Sequence, residues 1–128
     1  VDLTNGARRQ LTAFKEIAYD PVWSPAGNQI AFVSPEPGND ELFVINSDGS
    51  GLTQLTQNDW EWDKYPSWSP DGRQLVFWSN RESRTRQIWM MNADGSNLRN
   101  LSNNEFNDWE PVWVTSLTID PNLDLEKK

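Results

Sequence analysis

Short apolar runs alternate along the chain with clusters of turn-forming residues, and the runs have the two-residue period of β-strands. The clearest run is 74–79, in which Leu75 and Phe77 lie on one side of the predicted strand and Val76 and Trp78 on the other. A strand that is apolar on both sides is expected to be covered on both sides. Because no stretch shows a helical period over a useful length, the pattern predicts an all-β protein.

The residues that precede this run form a turn signal that recurs. In 66–72 (Pro-Ser-Trp-Ser-Pro-Asp-Gly), the second proline and the Asp-Gly pair favour a tight turn between a short strand and the run 74–79. Residues 21–27 carry nearly the same sequence, and 111–113 (Pro-Val-Trp) begin a third copy. The first prolines of the three copies are spaced by 45 residues, which identifies a repeat protein.

Each repeat contains four predicted strands. The third is apolar and leads into an Asp-Gly turn, whereas the fourth is more polar and suits an exposed edge. Four-stranded antiparallel units with a period near 45 residues are typical of β-propeller blades. The sequence therefore predicts blades within 1–114, with partial outer strands at 1–12, whole blades at 20–56 and 65–102, the inner strand of a third blade at 110–114, and a divergent tail at 115–128.

Tryptophan is unusually frequent, with eight residues in the 128-residue chain. Trp23, Trp68 and Trp113 occupy the same place in successive repeats, and this recurrence predicts packing in a core. Trp78 and Trp89 lie within predicted strands and are expected in the core as well. For the tryptophans in the connections between blades, packing and partner binding are both open.

Several spaced motifs together resemble the repeat of the TolB-like propeller family. They are Pro-x-Trp-Ser-Pro-Asp-Gly, Leu-Val-Phe-x-Ser, Ile-Trp-Met-Met-Asn, Asp-Gly and Leu-x-x-Leu-Ser, and the resemblance covers residues 1–114. It implies WD-type-like blades with the Pro-x-Trp strand innermost and the Leu-x-x-Leu strand outermost. It also implies a propeller, often of six blades, that serves as a protein-binding platform in the periplasm or outside the cell.

Two whole blades and two partial blades do not complete a ring, because propellers need about four to eight blades. An open strip would leave apolar faces and strand edges in water. Three explanations are open: the chain is a piece of a longer protein, the tail covers the strip, or chains associate. In the last case the terminal fragments would complete a composite blade, and a homodimer would close a six-bladed ring.

Composition narrows the possible partners and chemistry. A net charge of −8 argues against a nucleic acid partner, since phosphate binding needs a basic surface. Histidine and cysteine are absent, which excludes imidazole bases, thiol nucleophiles, disulfides and the usual zinc ligands. No apolar run is long enough for insertion into a membrane. We expect no cofactor.

The connections that lead into the innermost strands are acidic and aromatic. They should emerge at one end of the ring and converge on the mouth of the central channel. A concave surface lined by negative charges attracts cations and basic ligands, and exposed tryptophans are enriched at protein interfaces. We therefore predict a site for a protein or basic peptide formed by Glu16, Asp20, Asp59, Trp60, Glu61, Trp62, Asp63, Glu105, Asp108, Trp109 and Glu110. The alternative is a solvated acidic rim whose aromatic side chains fold back between the blades.

Other carboxylates have simpler explanations. The aspartates of the tight turns are expected to form those turns rather than to bind a ligand: Asp48, Asp71 and Asp94. Three carboxylates alternate within 59–63, so an extended connection would direct them to one side, as a calcium site needs. No EF-hand spacing accompanies them, and calcium is kept only as a hypothesis.

Three functions are compatible with these features. The first is a non-catalytic platform that binds a protein or peptide at the channel mouth. The second is an accessory propeller, or a fragment, of a larger hydrolase such as a prolyl-oligopeptidase-like enzyme, whose catalytic triad this histidine-free chain does not supply. The third is a glycosidase with paired acids, although nothing in the sequence sets their separation. We predict the first function and no catalytic residue.

Overall fold

The computed structural model describes residues 6–82 and 84–114. Within them, eight strands form two four-stranded antiparallel sheets, each in chain order. Blade 1 contains β1 (Tyr19–Trp23), β2 (Gln29–Ser34), β3 (Glu41–Asn46) and β4 (Thr53–Gln54). Blade 2 contains β5 (Asp63–Trp68), β6 (Gln74–Ser79), β7 (Gln87–Asn92) and β8 (Arg99–Asn100). The predicted all-β, four-stranded blade architecture is confirmed. The described residues contain no helix that could cross a membrane.

The two central strands of blade 1 show why apolar residues occupy both faces. β2 and β3 pair along their full length, with Phe32 opposite Phe43 on one face and Val33 opposite Leu42 on the other. All four side chains are buried, and the Phe32 and Phe43 rings stack with centroids 5.7 Å apart. Each blade is therefore one layer of a stack, and its two faces need separate covers.

The tight turns confirm the predicted role of their aspartates. Gly72 has φ of 70° and donates its N–H to Ser69 O at 2.8 Å, closing the Ser-Pro-Asp-Gly turn. Asp71 Oδ1 accepts hydrogen bonds from Ser69 Oγ and Arg73 N, which lower the pKa of this carboxyl. Asp48 and Asp94 likewise accept bonds from the serine two residues on, and the pKa of each is lowered.

The faces between the two blades pack into one apolar core. Ala31, Val33, Leu42 and Val44 of blade 1 meet the inner face of blade 2, which consists of Trp68, Leu75, Phe77, Trp89 and Met91. Trp68 is 7% exposed, and its indole Nε1 donates a hydrogen bond to Val22 O of blade 1 at 3.2 Å. The indole of each blade's first strand is thus placed to insert into the preceding blade.

Trp23 shows what happens when no preceding blade is available. It stands at the same repeat position as Trp68 but is 59% exposed, which corrects the prediction that it packs in a core. On this face of blade 1, Ile30, Phe32, Phe43 and Ile45 are covered by Leu11 and Phe14 of the N-terminal segment and not by another blade. Trp23 is exposed because it belongs to the first blade of the chain. The prediction assumed that another blade packs against that side.

The terminal segments differ from the predicted partial strands. Residues 6–12 and 110–114 contain no strand, while 1–5 and the tail 115–128 lie outside the described residues. A strand exists only where a neighbour pairs with it, and the described residues provide no complete ladder for either segment. Both segments nevertheless lie against the blades, because Trp113 N donates to Ser67 Oγ at 3.3 Å and Leu11 packs against the apolar face of blade 1. The outer strands β4 and β8 have only two residues each.

Candidate functional site

The residue before each repeat proline has an unusual backbone conformation. Asp20, Tyr65 and Glu110 have φ of 50°, 55° and 43°, in the left-handed region. A residue before proline normally favours extended conformations, and a left-handed non-glycine residue costs about 1–3 kcal/mol. At the first two positions the strand pairing shifts register, as at a β-bulge. Because all three repeats bear the cost of this left-handed conformation at the same position, we infer that the conformation serves a function.

These three residues surround a cavity of about 340 Å³. Its lining comes from the same three positions of each repeat: Asp20, Pro21, Val22, Tyr65, Pro66, Ser67, Glu110, Pro111 and Val112. The cavity therefore lies where the innermost strands approach one another, which is the expected place of the central channel. Two carboxyls and a phenol are its ionisable groups, against a wall of proline and valine.

The electrostatics of the cavity are unfavourable for the negative charge of Asp20. Burial raises the pKa of Asp20, and the nearby carboxylates of Glu110 and Asp40 raise it further, while Lys64 lowers it. A bound cation would reverse these effects by giving Asp20 and Glu110 an opposite charge to face. The cavity is thus suited to an ammonium or guanidinium group.

Lys64 is held by a different carboxylate beside the cavity. Its Nζ forms a 2.8 Å ion pair with Asp40, and it lies 5.2 Å from the ring centroid of Trp62 and 5.6 Å from that of Tyr19. Tyr19 donates its hydroxyl proton to Asp40 at 2.6 Å, and its pKa is raised by burial and by that bond. Lys64 is therefore ion-paired with Asp40, although it still lowers the pKa of Asp20.

The structure separates the other predicted site residues into an exposed rim and a buried group. Several side chains of the rim are largely exposed: Glu16, Asp59, Trp60, Trp62, Glu105, Trp109 and Glu110. Glu61 and Asp108 are partly covered, and Asp108 Oδ2 accepts a 3.0 Å bond from Asn104 Nδ2. Of the eleven predicted residues, only Asp20 and Glu110 line the cavity itself.

Trp109 is partly packed, and its role in partner binding stays a prediction. Its ring lies edge-on to Trp78 with centroids 6.3 Å apart, and the Arg86 guanidinium carbon is 3.7 Å from its centroid. The same guanidinium lies 5.2 Å from the centroid of buried Trp78. Trp109 thus packs against blade 2 through one face and leaves much of its surface to solvent.

Asp63 corrects the predicted site, because it is fully buried and not accessible to a partner. Its Oδ2 accepts hydrogen bonds from Asn58 Nδ2 and from the guanidinium of Arg81, with which it forms an ion pair. Its burial also removes the alternation on which the calcium hypothesis rested. Within 6–82 and 84–114, no group of three or more acids could hold a metal ion.

Sequence reasoning missed Tyr65 as a lining residue. The signal was present, since Tyr65 precedes a repeat proline as Asp20 and Glu110 do, each 45 residues from the next. The predicted site residues were chosen because their connections are acidic and rich in tryptophan. The position directly before the repeat proline was not used as a criterion. A repeat position is a better guide to the channel lining than residue type.

The chain matches a known domain over nearly its whole length. Residues 1–117 match the TolB beta propeller domain. The chain belongs to the TolB β-propeller family. The resemblance stated from the repeat motifs is therefore confirmed, and the innermost position of the Pro-x-Trp strand agrees with the sheet order of both blades.

Individual members of the TolB β-propeller family and related proteins extend the comparison. The Tol-Pal system protein TolB of Anaeromyxobacter dehalogenans is 44% identical over 112 residues, which are 88% of this chain and 25% of the relative. An uncharacterized peptidase of Bacillus subtilis, YuxL, is 27% identical over 73% of this chain and 15% of its own length. The structure of a putative TolB from Agrobacterium tumefaciens superposes with a TM-score of 0.68 at 26% identity, covering 77% of this chain and 38% of that one. The chain thus spans about a quarter of the TolB relative's length.

Proposed function

We propose that this chain is part of a non-catalytic propeller that binds a protein or peptide through a basic segment at the central cavity. The observation that carries the proposal is the convergence of Asp20 and Glu110, from repeats 90 residues apart, on a single cavity beside Tyr65. A lysine or arginine side chain would place its charge between the carboxylates and its aliphatic stem against the prolines.

The family and the rim support a protein as the partner. The relative from Anaeromyxobacter is named as a component of the Tol-Pal system, which makes an assembly role the natural expectation. The exposed Trp60, Trp62 and Trp109 would surround the basic anchor with the kind of aromatic surface that protein interfaces use. By the family resemblance, we place this binding in the periplasm or outside the cell.

The proposal is tested by titrating a fluorescently labelled lysine-rich peptide with the chain and measuring anisotropy at low salt. We expect the double variant Asp20→Asn/Glu110→Gln to bind about tenfold more weakly or worse, since it removes two charged hydrogen-bond acceptors worth about 1.4 kcal/mol or more together. Raising the salt concentration should weaken the wild-type complex by screening.

The matched control changes the net charge equally at the opposite end of the blades. Asp48→Asn/Asp94→Asn alters two turn aspartates, and asparagine can form the same side-chain turn. This variant should bind the peptide almost as the wild type does. Equal weakening of both variants would mean that the peptide responds only to total charge, and the cavity would then not be a specific site.

The second candidate function is an accessory propeller of a larger hydrolase. The similarity to the peptidase YuxL over 73% of this chain favours it. The chain contains no histidine, so a serine–histidine–aspartate triad would have to lie in another domain. A reading frame that continues from this propeller into an α/β-hydrolase domain would establish this alternative. The paired-acid glycosidase has less support, because the cavity holds its two carboxyls in a setting that also suits a simple cation.

The ring needs further blades, and a second copy of the chain is one source that we propose for them. The open face of blade 1 presents exposed Trp23 and a cavity of about 170 Å³ lined by Leu11, Thr12, Ala18, Tyr19, Pro21, Ile30, Phe32 and Ile45. Within the chain, the equivalent face of blade 2 is covered by another blade. A homodimer with six blades would extend this packing rule, as would additional blades of a longer chain.

A further inference from the structure

The junction between the two blades contains a pair of buried carboxyls that the proposed function does not use. Glu41 begins β3 and Asp63 begins β5, and both side chains are fully buried. Asn58 bridges them, since its Nδ2 lies 3.3 Å from Glu41 Oε2 and 2.7 Å from Asp63 Oδ2.

The charges at this junction do not balance if both carboxyls are ionised. Arg81, in the connection between β6 and β7, forms an ion pair with Asp63. Lys64 of β5 forms its ion pair with Asp40, at the edge of the junction. In the described part of the chain these are the two salt bridges, so neither cation neutralises Glu41. An unpaired charge in a buried place is costly.

Within the residues that the structure describes, one acceptor atom of the pair lacks a donor, and one of the bonds to Glu41 is long enough for a proton to replace it. Glu41 accepts bonds from neutral donors only: Thr56 Oγ1 at 2.6 Å, Asn58 N at 2.6 Å, Asn39 Nδ2 at 3.1 Å and the longer bond from Asn58 Nδ2. Asp63 Oδ1 is buried and finds no donor among the described residues. A proton carried by Glu41 would supply that missing donor. It would also leave Asp63 and Arg81 as a neutral pair.

We propose that Glu41 and Asp63 share a single proton, so that the junction between blade 1 and blade 2 is a proton-binding site. The arrangement is a carboxylic acid, Glu41, that donates a hydrogen bond to a carboxylate, Asp63, while Arg81 balances the remaining charge. The site forms only when β3, β5 and Arg81 come together. Proton binding is therefore coupled to the packing of the blades.

The environment of Glu41 agrees with this assignment. Burial raises its pKa to about 7, with a further increase from Asp63 and an opposing decrease from the hydrogen bonds of Thr56 and Asn58. Glu61 lies on the connection before β5 and is partly exposed. Its Oε2 accepts a 3.4 Å hydrogen bond from Trp60 N. Asp40 is occupied by Lys64 and Tyr19.

The second repeat provides an internal comparison. Gln87 stands at the position of Glu41, begins β7 and is buried. Its Oε1 accepts bonds from Ser102 Oγ and Asn104 N, which repeat the bonds from Thr56 Oγ1 and Asn58 N to Glu41. Its Nε2 donates to Phe106 O at 2.8 Å. An amide has the shape of a carboxylic acid and cannot lose its proton, so repeat 2 keeps permanently the uncharged state that Glu41 reaches by protonation.

The site also connects proton binding to the candidate binding rim. Asn58 lies directly before the connection that carries Trp60 and Trp62, and its main chain is fixed by the 2.6 Å bond to Glu41 Oε1. When the pH rises and Glu41 ionises, two negative carboxyls face each other across the junction, while the bond from Asn58 N gains a charged acceptor and becomes stronger. This step needs no partner and is independent of peptide binding at the cavity.

The test is urea unfolding of the full chain at several pH values, followed by circular dichroism, for the wild type and Glu41→Gln. The folded protein holds the proton and the unfolded chain releases it above about pH 4.3. Stability therefore falls as the pH rises, and the unfolding constant of the wild type should grow nearly tenfold per pH unit between about pH 5 and pH 7, relative to the variant. Above about pH 7.5 the ratio of the two unfolding constants should be constant.

A parallel pH dependence of wild type and Glu41→Gln would overturn the proposal. If the variant does not fold, the wild type alone decides by ¹³C NMR of the Glu41 side-chain carboxyl, assigned through its own side-chain connectivity. We expect that carbon to titrate near pH 7, and titration below about pH 5 would refute the shared proton.

Discussion

Replacement of Trp68 by alanine tests whether the packing of one blade's indole into the preceding blade holds the two blades together. Trp68 is almost fully buried, and it contacts the apolar face of blade 1 and donates a hydrogen bond to Val22 O at 3.2 Å. Trp23 occupies the equivalent position without a preceding blade and is 59% exposed. The two residues therefore form a matched pair that differs mainly in burial.

The expected cost of Trp68→Ala is about 4 kcal/mol of unfolding free energy. A buried tryptophan removes about 150–250 Å² from water, which at about 25 cal/mol per Å² corresponds to about 4–6 kcal/mol. Substitutions of buried aromatic residues by alanine typically cost about 3–5 kcal/mol, including the lost hydrogen bond. Trp23→Ala should cost about 1 kcal/mol, because more than half of its surface is already in water.

The assay is urea unfolding followed by far-ultraviolet circular dichroism, since tryptophan fluorescence changes with each variant. With a slope of about 1.5 kcal/mol per M, the midpoint of Trp68→Ala should lie about 2–3 M below that of the wild type. The midpoint of Trp23→Ala should lie less than about 1 M below it. Trp68→Phe, which keeps an aromatic ring but loses the bond to Val22 O, should fall between the two.

Equal losses of unfolding free energy for Trp23→Ala and Trp68→Ala would refute the expectation that Trp23 is the less buried of the two in the isolated chain. Such a result would show that the open face of blade 1 is covered in solution. A loss below about 0.5 kcal/mol for Trp68→Ala would instead show that the junction is held by other contacts, such as the Asp63–Arg81 ion pair.

Two further predictions concern assembly and acid stability. If a second copy completes the ring, the 128-residue chain should sediment as a dimer and Trp23→Ala should sediment as a monomer, whereas a wild-type monomer at every concentration would exclude the homodimer. The turn aspartates Asp48, Asp71 and Asp94 have lowered pKa values in the folded protein, so the stability they contribute is present above about pH 4 and is lost as the pH falls further. Urea unfolding at pH 2.5 to 5 should show a shallower loss for Asp48→Asn/Asp94→Asn than for the wild type, and identical slopes would contradict this assignment.

The blades were predictable from sequence because their determinants are local and repeated. The alternation in 74–79 and the turn at 69–72 each require only neighbouring residues, and the 45-residue recurrence supplies a second copy as a check. The exposure of Trp23 was not predictable in the same way. It depends on whether another blade lies beside blade 1, and nothing close to Trp23 in sequence specifies that neighbour.

The candidate site was predictable at the level of the connections but not of single side chains. Topology placed the acidic connections at one end of the ring, and Asp20 and Glu110 do reach the cavity. Asp63 belongs to the same acidic stretch and is nevertheless buried, because Asn58 and Arg81 provide its partners and Glu41 lies next to it. Arg81 is 18 residues away from Asp63 in the chain, so only the folded structure shows that pairing.

The left-handed residues before the repeat prolines have a consequence for how such a protein can change. Asp20, Tyr65 and Glu110 differ in charge, size and aromaticity, yet they adopt almost the same backbone angle and line the same cavity. A β-bulge interrupts the regular pairing at Asp20 and Tyr65, and Glu110 lies outside any strand, so these positions are released from the packing rules that govern the blade interiors. Evolution can therefore alter the chemistry of the lumen one repeat at a time while each blade keeps its own interior, so that a single architecture can acquire new ligands by point substitution.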